Sequence, residues 1–173
     1  MNESQQMREM LNKAINAHRT NQFELAESLY KEIISIDDHH PDANHNLSVL
    51  YFDQNKIKDA KKYILKILNT EFPMKEYFIT AAKIFFNDKK KLEAIEFLNN
   101  ALVLDSKNIT PYFLKGIIYR DLGDYENASN SIYQALKIEP NNPEINNSYG
   151  VLLGILNKFE ESINYFKKAI NQK

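Results

Sequence analysis

The chain has 173 residues, of which 43% are hydrophobic and 26% charged, and its formal net charge is −1. This is the composition of an ordinary folded chain, and a near-neutral balance lacks the electrostatic footprint of a nucleic-acid binder. Cysteine is absent, which excludes disulfides, thiolate zinc sites and cysteine nucleophiles. No apolar run is long enough to cross a membrane, and the opening MNESQQMREM is polar rather than a secretory signal. A cytoplasmic location is the default expectation.

A frame opened at Met7 recurs every 34 residues, at Pro41, Lys75, Ile109 and Pro143, with no insertion or deletion. Five repeats follow: 7–40, 41–74, 75–108, 109–142 and 143–173. A fixed period of this length predicts a stacked array read as one continuous domain, not a globule around a central core.

Taken in chain order, the first repeat carries Ala14, Phe23, Ala26 and Tyr30, and the second Ser48, Tyr51, Ala60 and Ile67. The third carries Ala82, Phe85, Ala94 and Ala101, with Lys91 where its second helix would have an aromatic residue. The fourth is clearest. Tyr112, Gly116 and Tyr119 are spaced i, i+4, i+7 along one helix face. A break follows at Leu122-Gly123-Asp124, where Gly123 suits a helix C-terminus. Tyr125, Ala128, Ile132, Ala135 and Leu136 mark a second helix, which Pro140 ends by forcing its predecessor out of helical geometry. The fifth carries Gly150, Phe159, Ser162, Phe166 and Ala169. Each repeat therefore reads helix, turn, helix. The small residues Ala14, Ser48, Ala82, Gly116 and Gly150 are expected to let the two helices approach. Large residues such as Tyr119, Tyr125 and Ile132 are expected to fill the gaps.

Tyr112, Gly116, Tyr119, Gly123, Tyr125, Ala128, Ala135 and Pro140 resemble the tetratricopeptide repeat (TPR) signature, with Tyr where its first Trp often stands. The resemblance implies an all-α fold, a right-handed superhelical α-solenoid of five helix-turn-helix hairpins. It also implies a non-catalytic scaffold that holds a peptide or helix of a partner protein in a groove lined by the first helices. Transferred by position, the groove has Arg8, Leu11, Asn12, Ile15 and Arg19 from the first repeat. The second gives Asp42, His45, Asn46, Val49 and Phe52, and the third Glu76, Ile79, Thr80, Lys83 and Phe86. The fourth gives Phe113, Leu114, Ile117 and Arg120, and the fifth Glu144, Asn147, Ser148 and Val151. Some family members clamp a terminal carboxylate with lysines and asparagines. Asn46 could belong to such a clamp, but Leu11 and His45 stand where lysines would, so an apolar or amphipathic segment is the expected ligand.

Other chemistry finds little support. By repeat the charges are −2, +1, +1, −1 and +1, so no repeat is strongly basic. Lys89-Lys90-Lys91 falls in the turn of the third hairpin and reads as solvated. Asp37-Asp38-His39-His40-Pro41-Asp42 with His45 has ligand-type side chains for a divalent metal, yet it aligns with the polar connection Glu139–Glu144 and reads as a repeat boundary. Gly150 and Gly154 read as tight helix packing, and the Glu160-Glu161 pair as exposed. No phosphate loop, dinucleotide motif or nucleophile elbow occurs, so no catalytic residue, metal or cofactor is assigned.

In the last helix Phe159, Ile163, Phe166 and Ile170 share one face and are expected to pack inward, leaving Tyr165 and Ala169 with no sixth repeat to meet. An exposed apolar edge there points to self-association as a homo-oligomer, to a partner, or to a chain cut from a longer protein. Two alternatives to a free-standing scaffold follow: an N-terminal targeting domain of a larger enzyme such as a glycosyltransferase, and a small secretion chaperone.

Overall fold

A computed structural model describes residues 3–171, with side chains from residue 5 onward. Met1 and Asn2 of the polar opening, and the final Gln172 and Lys173, lie outside the described residues. The described chain is all helical, in the order α1 (Glu3–Arg19), α2 (Phe23–Ile36), α3 (Pro41–Asp53), α4 (Ile57–Leu65), α5 (Lys75–Asn87), α6 (Lys91–Leu104), α7 (Ile109–Asp121), α8 (Tyr125–Ile138), α9 (Pro143–Ile155) and α10 (Phe159–Ile170). The first helices of repeats two to five begin on the frame residues, and α2, α4, α6, α8 and α10 also start 34 residues apart. Helix α1 starts four residues ahead of its frame position.

The turns explain this regularity. Asn21, Asn55, Lys89, Gly123 and Asn157 all have positive φ, one per repeat at the same place. Glycine and asparagine adopt that conformation most readily, so Lys89 is the costly member of the series. Helix starts use local chemistry where they can. Asn108 accepts from the Thr110 N–H, and Asn142 from Glu144 and Ile145. His40 does the same for Ala43, while Met74 has no side chain able to cap. Helix α4 stops early: Lys66 and Ile67 bond back to Tyr63 and Ile64, a tighter i→i−3 turn that leaves Ile67 fully buried.

The chain divides into two compact units, Met1–Lys89 and Lys90–Lys173. In the first, hairpins α1/α2 and α3/α4 stack with α5. Its neighbouring helices are tied by polar bonds. The Tyr51 hydroxyl donates to Glu27 at 2.8 Å, and Lys31 reaches the same carboxylate at 2.6 Å. Lys61 pairs with Asp88 and Lys66 with Asp38. Hydrogen bonds from Lys31 and Tyr51 hold the Glu27 carboxyl below its ordinary range despite some desolvation.

In the second unit α6 packs on α7, followed by hairpins α7/α8 and α9/α10. Here steric fit dominates. A Cβ on Gly116 would overlap Ile132 Cδ1, and one on Gly150 would meet Phe166 Cε1 at 2.8 Å. Gly154 is different: its Cβ would meet only Ser162 Oγ at 3.5 Å, so the paired glycines do not both serve close packing. Ser162 stands where the other repeats have Ala26, Ala60, Ala94 and Ala128, and its buried hydroxyl donates to the Gly150 carbonyl at 2.8 Å. Tyr133, Tyr149 and Tyr165 form a ladder with centroid separations of 6.0 and 4.7 Å. Tyr125 does not fill a gap; it is exposed at the start of α8.

The last helix corrects the sequence reading. Ser162 and Ala169 of α10 are buried and Tyr165 is half-buried against Tyr149, while Phe159, Ile163 and Ile170 are 61%, 52% and 69% exposed. Only Phe166 of the expected inward set packs inward, under Gly150. The small-residue positions of α10 close its own hairpin, and the Phe159–Ile170 stripe lies on the side where a following repeat would sit.

Candidate binding trough

On α1, Arg8, Leu11, Ile15 and Arg19 step by three or four residues along one stripe, a consequence of the 3.6-residue period, with Asn12 beside Leu11. On α3, Asp42, Asn46, Val49 and Asp53 do the same. Where these stripes face each other a cavity of ≈ 780 Å³ opens, lined by Met7, Arg8, Leu11, Asn12, Ile15, His40, Asp42 and Asn46. A second, of ≈ 500 Å³, adds His18, Arg19, Asn21, Phe23, Tyr30 and Asp53 and shares Ile15 and Asn46 with the first. The two form one trough within the first unit. Its charges are mixed, with Arg8 and Asp42 in one cavity and Arg19 and Asp53 in the other; His18 lies 3.8 Å from Asp53.

Tyr30 gives the trough wall a special property. It is fully buried, and its hydroxyl has no hydrogen-bond partner among the described residues. Burial pushes its phenol up to about 12, so it remains neutral and able both to donate and to accept. Asn44, also fully buried, has a different job: its amide donates to the Asp38 and His40 carbonyls, both at 3.0 Å, pinning the α2–α3 connection. Asn146 repeats this at Pro140 and Asn142 before α9.

Seven of the groove residues expected from sequence, Arg8, Leu11, Asn12, Ile15, Arg19, Asp42 and Asn46, line the trough. His45 instead bonds Thr80 Oγ1 at 2.9 Å and lies against Tyr77, linking α3 to α5; desolvation lowers its pKa. Val49, Phe52, Ile79 and Phe86 are half-buried and Lys83 is exposed. In the second unit Phe113 packs on the core cluster of Ile132, Leu136 and Ile145, Ile117 is half-buried, and Arg120 is exposed. Asn147 is also exposed and lines a separate cavity of ≈ 420 Å³ with Phe166 and Ile170.

Sequence reasoning missed Met7, His18, Asn21, Phe23, Tyr30, His40 and Asp53. His40 carried a signal, since it precedes Pro41 at the place of the capping Asn108 and Asn142. Tyr30 carried none, because its position in the frame is otherwise a core position. The Asp37–Asp42 segment works locally: Asp37 accepts from the His39 N–H, Asp38 pairs with Lys66, and His40 caps α3. No three His, Asp or Glu side chains converge on a metal-holding geometry among the described residues. What the trough offers is an apolar strip bordered by donors and acceptors.

Comparison with known proteins assigns the repeats. Two family models, each described as tetratricopeptide repeat, match the chain, one at residues 109–142 and 143–173 and the other at 17–77. The chain belongs to the tetratricopeptide repeat family. TPR folds serve in general as scaffolds for protein–protein interaction. Among curated proteins, this TPR chain is 24% identical over 151 residues to the TPR repeat-containing protein MJ1428 of Methanocaldococcus jannaschii, covering 82% of this chain and 26% of that protein. It is 28% identical over 126 residues to the human cell division cycle protein 16 homolog, covering 68% and 20% respectively. The chain thus spans about a quarter or less of the length of these relatives. Among solved structures, a MamA protein matches with a TM-score of 0.86 at 20% identity, over 96% of this chain and 91% of that one. YrrB, described as a TPR protein with an unusual peptide-binding site, matches with a TM-score of 0.78 at 18% identity, over 95% and 84%. These likenesses show the TPR fold. No helix among the described residues is long and apolar enough to cross a membrane.

Proposed function

We propose that this TPR protein is a non-catalytic binding module that takes a segment of a partner protein in the α1–α3 trough. The observation that carries the reading is the adjacency of the two cavities, which share Ile15 and Asn46 in their walls. Leu11 and Ile15 supply apolar contact, while Asn12 and Asn46 supply hydrogen bonds to a backbone or polar side chain. Mixed charge in the trough and a formal net charge of −1 favour a peptide over a nucleic acid. The fold neighbour YrrB, with its peptide-binding site, supports the same reading by analogy.

The test is selection of peptides from a displayed library on the immobilised protein, followed by titration of the selected peptides against parent, Ile15→Glu and Asn46→Ala chains of matched circular dichroism. The expected result is at least about tenfold weaker binding for Ile15→Glu, the size of a lost apolar anchor. Peptides that bind all three chains equally would move the site off the trough.

A further inference from the structure

We infer that the occupant of the trough is an amphipathic α-helix of a partner protein, its apolar face flanked by acidic residues on one side and basic residues on the other. This rests on the trough reading above and specifies the chemistry of the segment the trough takes.

The two walls of the trough carry opposite charge in the same register. Arg8 and Arg19 stand on α1, and Asp42 and Asp53 on α3. Each pair is eleven residues apart, about three helical turns or ~16 Å, so both members of a pair lie on one side of their helix. Arg8 shares one cavity with Asp42, and Arg19 shares the other with Asp53. The two helices therefore run alongside in one direction, with an arginine across from an aspartate at each end of the trough.

These charges do not neutralise each other. All four residues are exposed, and neither guanidinium has an ion-pair partner among the described residues. The Asp42 carboxylate accepts from the Tyr77 hydroxyl, and Asp53 lies 3.8 Å from His18. Between the two ends stand Leu11 and Ile15, half-buried and one turn apart. The trough is thus basic along one wall, acidic along the other and apolar between its charged ends.

The spacing selects a helix over an extended segment. An extended chain covers ~16 Å in about five residues, an odd number, which turns the side chains at its two ends to opposite walls. A helix covers the same length in about eleven residues, and its side chains at i and i+11 return to one side. Acids so spaced on one flank meet both arginines, and bases so spaced on the other meet both aspartates. Apolar residues between the flanks reach Leu11 and Ile15. A helix acidic on both flanks would instead set carboxylates against Asp42 and Asp53, and one basic on both would crowd Arg8 and Arg19. The walls also set direction, because turning the helix end for end exchanges its flanks.

The test is fluorescence anisotropy with three synthetic, helix-stabilised peptides that share one leucine stripe. The first has glutamates eleven residues apart on one flank and lysines eleven apart on the other. The second has glutamates on both flanks, and the third lysines on both. At about 150 mM salt the full chain should bind the mixed peptide at least about tenfold more tightly than either of the others. Arg8→Glu with Arg19→Glu makes both walls acidic, and the lysine-flanked peptide should become the tightest. Asp42→Lys with Asp53→Lys makes both basic, and the glutamate-flanked peptide should take its place. Loss of folding weakens all three peptides together and cannot produce this change of order. A parent chain that binds none of them, or all three equally, overturns the inference, as do variants that keep the parent's order. Ile15→Glu separates it from the reading on which it rests. Library-selected peptides that depend on Ile15 yet lack such flanks would leave the trough reading standing and end this one. A mixed peptide indifferent to Ile15→Glu would end both.

Discussion

The two units solve the same packing problem with different materials. The second closes its hairpins by steric fit, Gly116 under Ile132 and Gly150 under Phe166, and links successive hairpins with a tyrosine ladder. The first has Ala14 and Ser48 at those places and joins its helices through Glu27, Lys31, Tyr51, His45 and Thr80. It also leaves a trough with an unpartnered Tyr30 hydroxyl in its wall. A repeat built on polar links tolerates open space beside it, because directional bonds hold position where packing does not. A repeat built on glycine contacts has no slack inside the hairpin, and its open space lies at the hairpin's edge, beside Phe166 and Ile170.

The largest test of this contrast is Gly116→Ala. Ile132 is 1% exposed and has nowhere to go, so the added Cβ should cost about 1–3 kcal/mol in urea unfolding, partly recovered by Ile132→Val. Gly154→Ala is the control: with only an ordinary contact to meet, it should gain about 0.5–1 kcal/mol in helix propensity. Equal effects of opposite expectation would mean that Gly116 is not a steric contact.

The polar links of the first unit should show in pH. Desolvation lowers the His45 pKa, so the unfolded chain takes up a proton there that the folded chain declines. The contribution is intact above the ordinary value of 6.5 and declines as pH falls from 6.5 towards the lowered folded value. Urea midpoints of parent and His45→Gln chains at about pH 7.5 and about pH 5.5 check this, the parent losing more on acidification. A smaller effect is expected at the αL turn, where Lys89→Gly should stabilise by about 0.5–1 kcal/mol and Asn55→Gly by less, read as a shift in thermal midpoint.

Much of the fold was legible because a repeat states each local rule several times. Gly123 revealed the αL turn that Asn21, Asn55 and Asn157 also accept, and the frame residues placed the start of every first helix from α3 onward. The trough was partly legible: periodicity put Leu11, Asn12, Ile15 and Asn46 on facing stripes. Tyr30 stayed hidden because whether a core-type position borders a hollow depends on what its neighbours fail to fill. The stripe on α10 was visible as a period, yet its direction was misread, since Phe159, Ile163 and Ile170 have the same spacing whether they face in or out.

The sequence by itself determined the helices, their turns and the order of hairpins, because capping, φ preference and apolar period act over a few residues and recur every 34. Only the tertiary structure decided which apolar stripes are covered, which small residues touch, and where the first unit stays open. Those outcomes depend on contacts between helices distant in sequence, and burial belongs to a pair of surfaces rather than to either one alone.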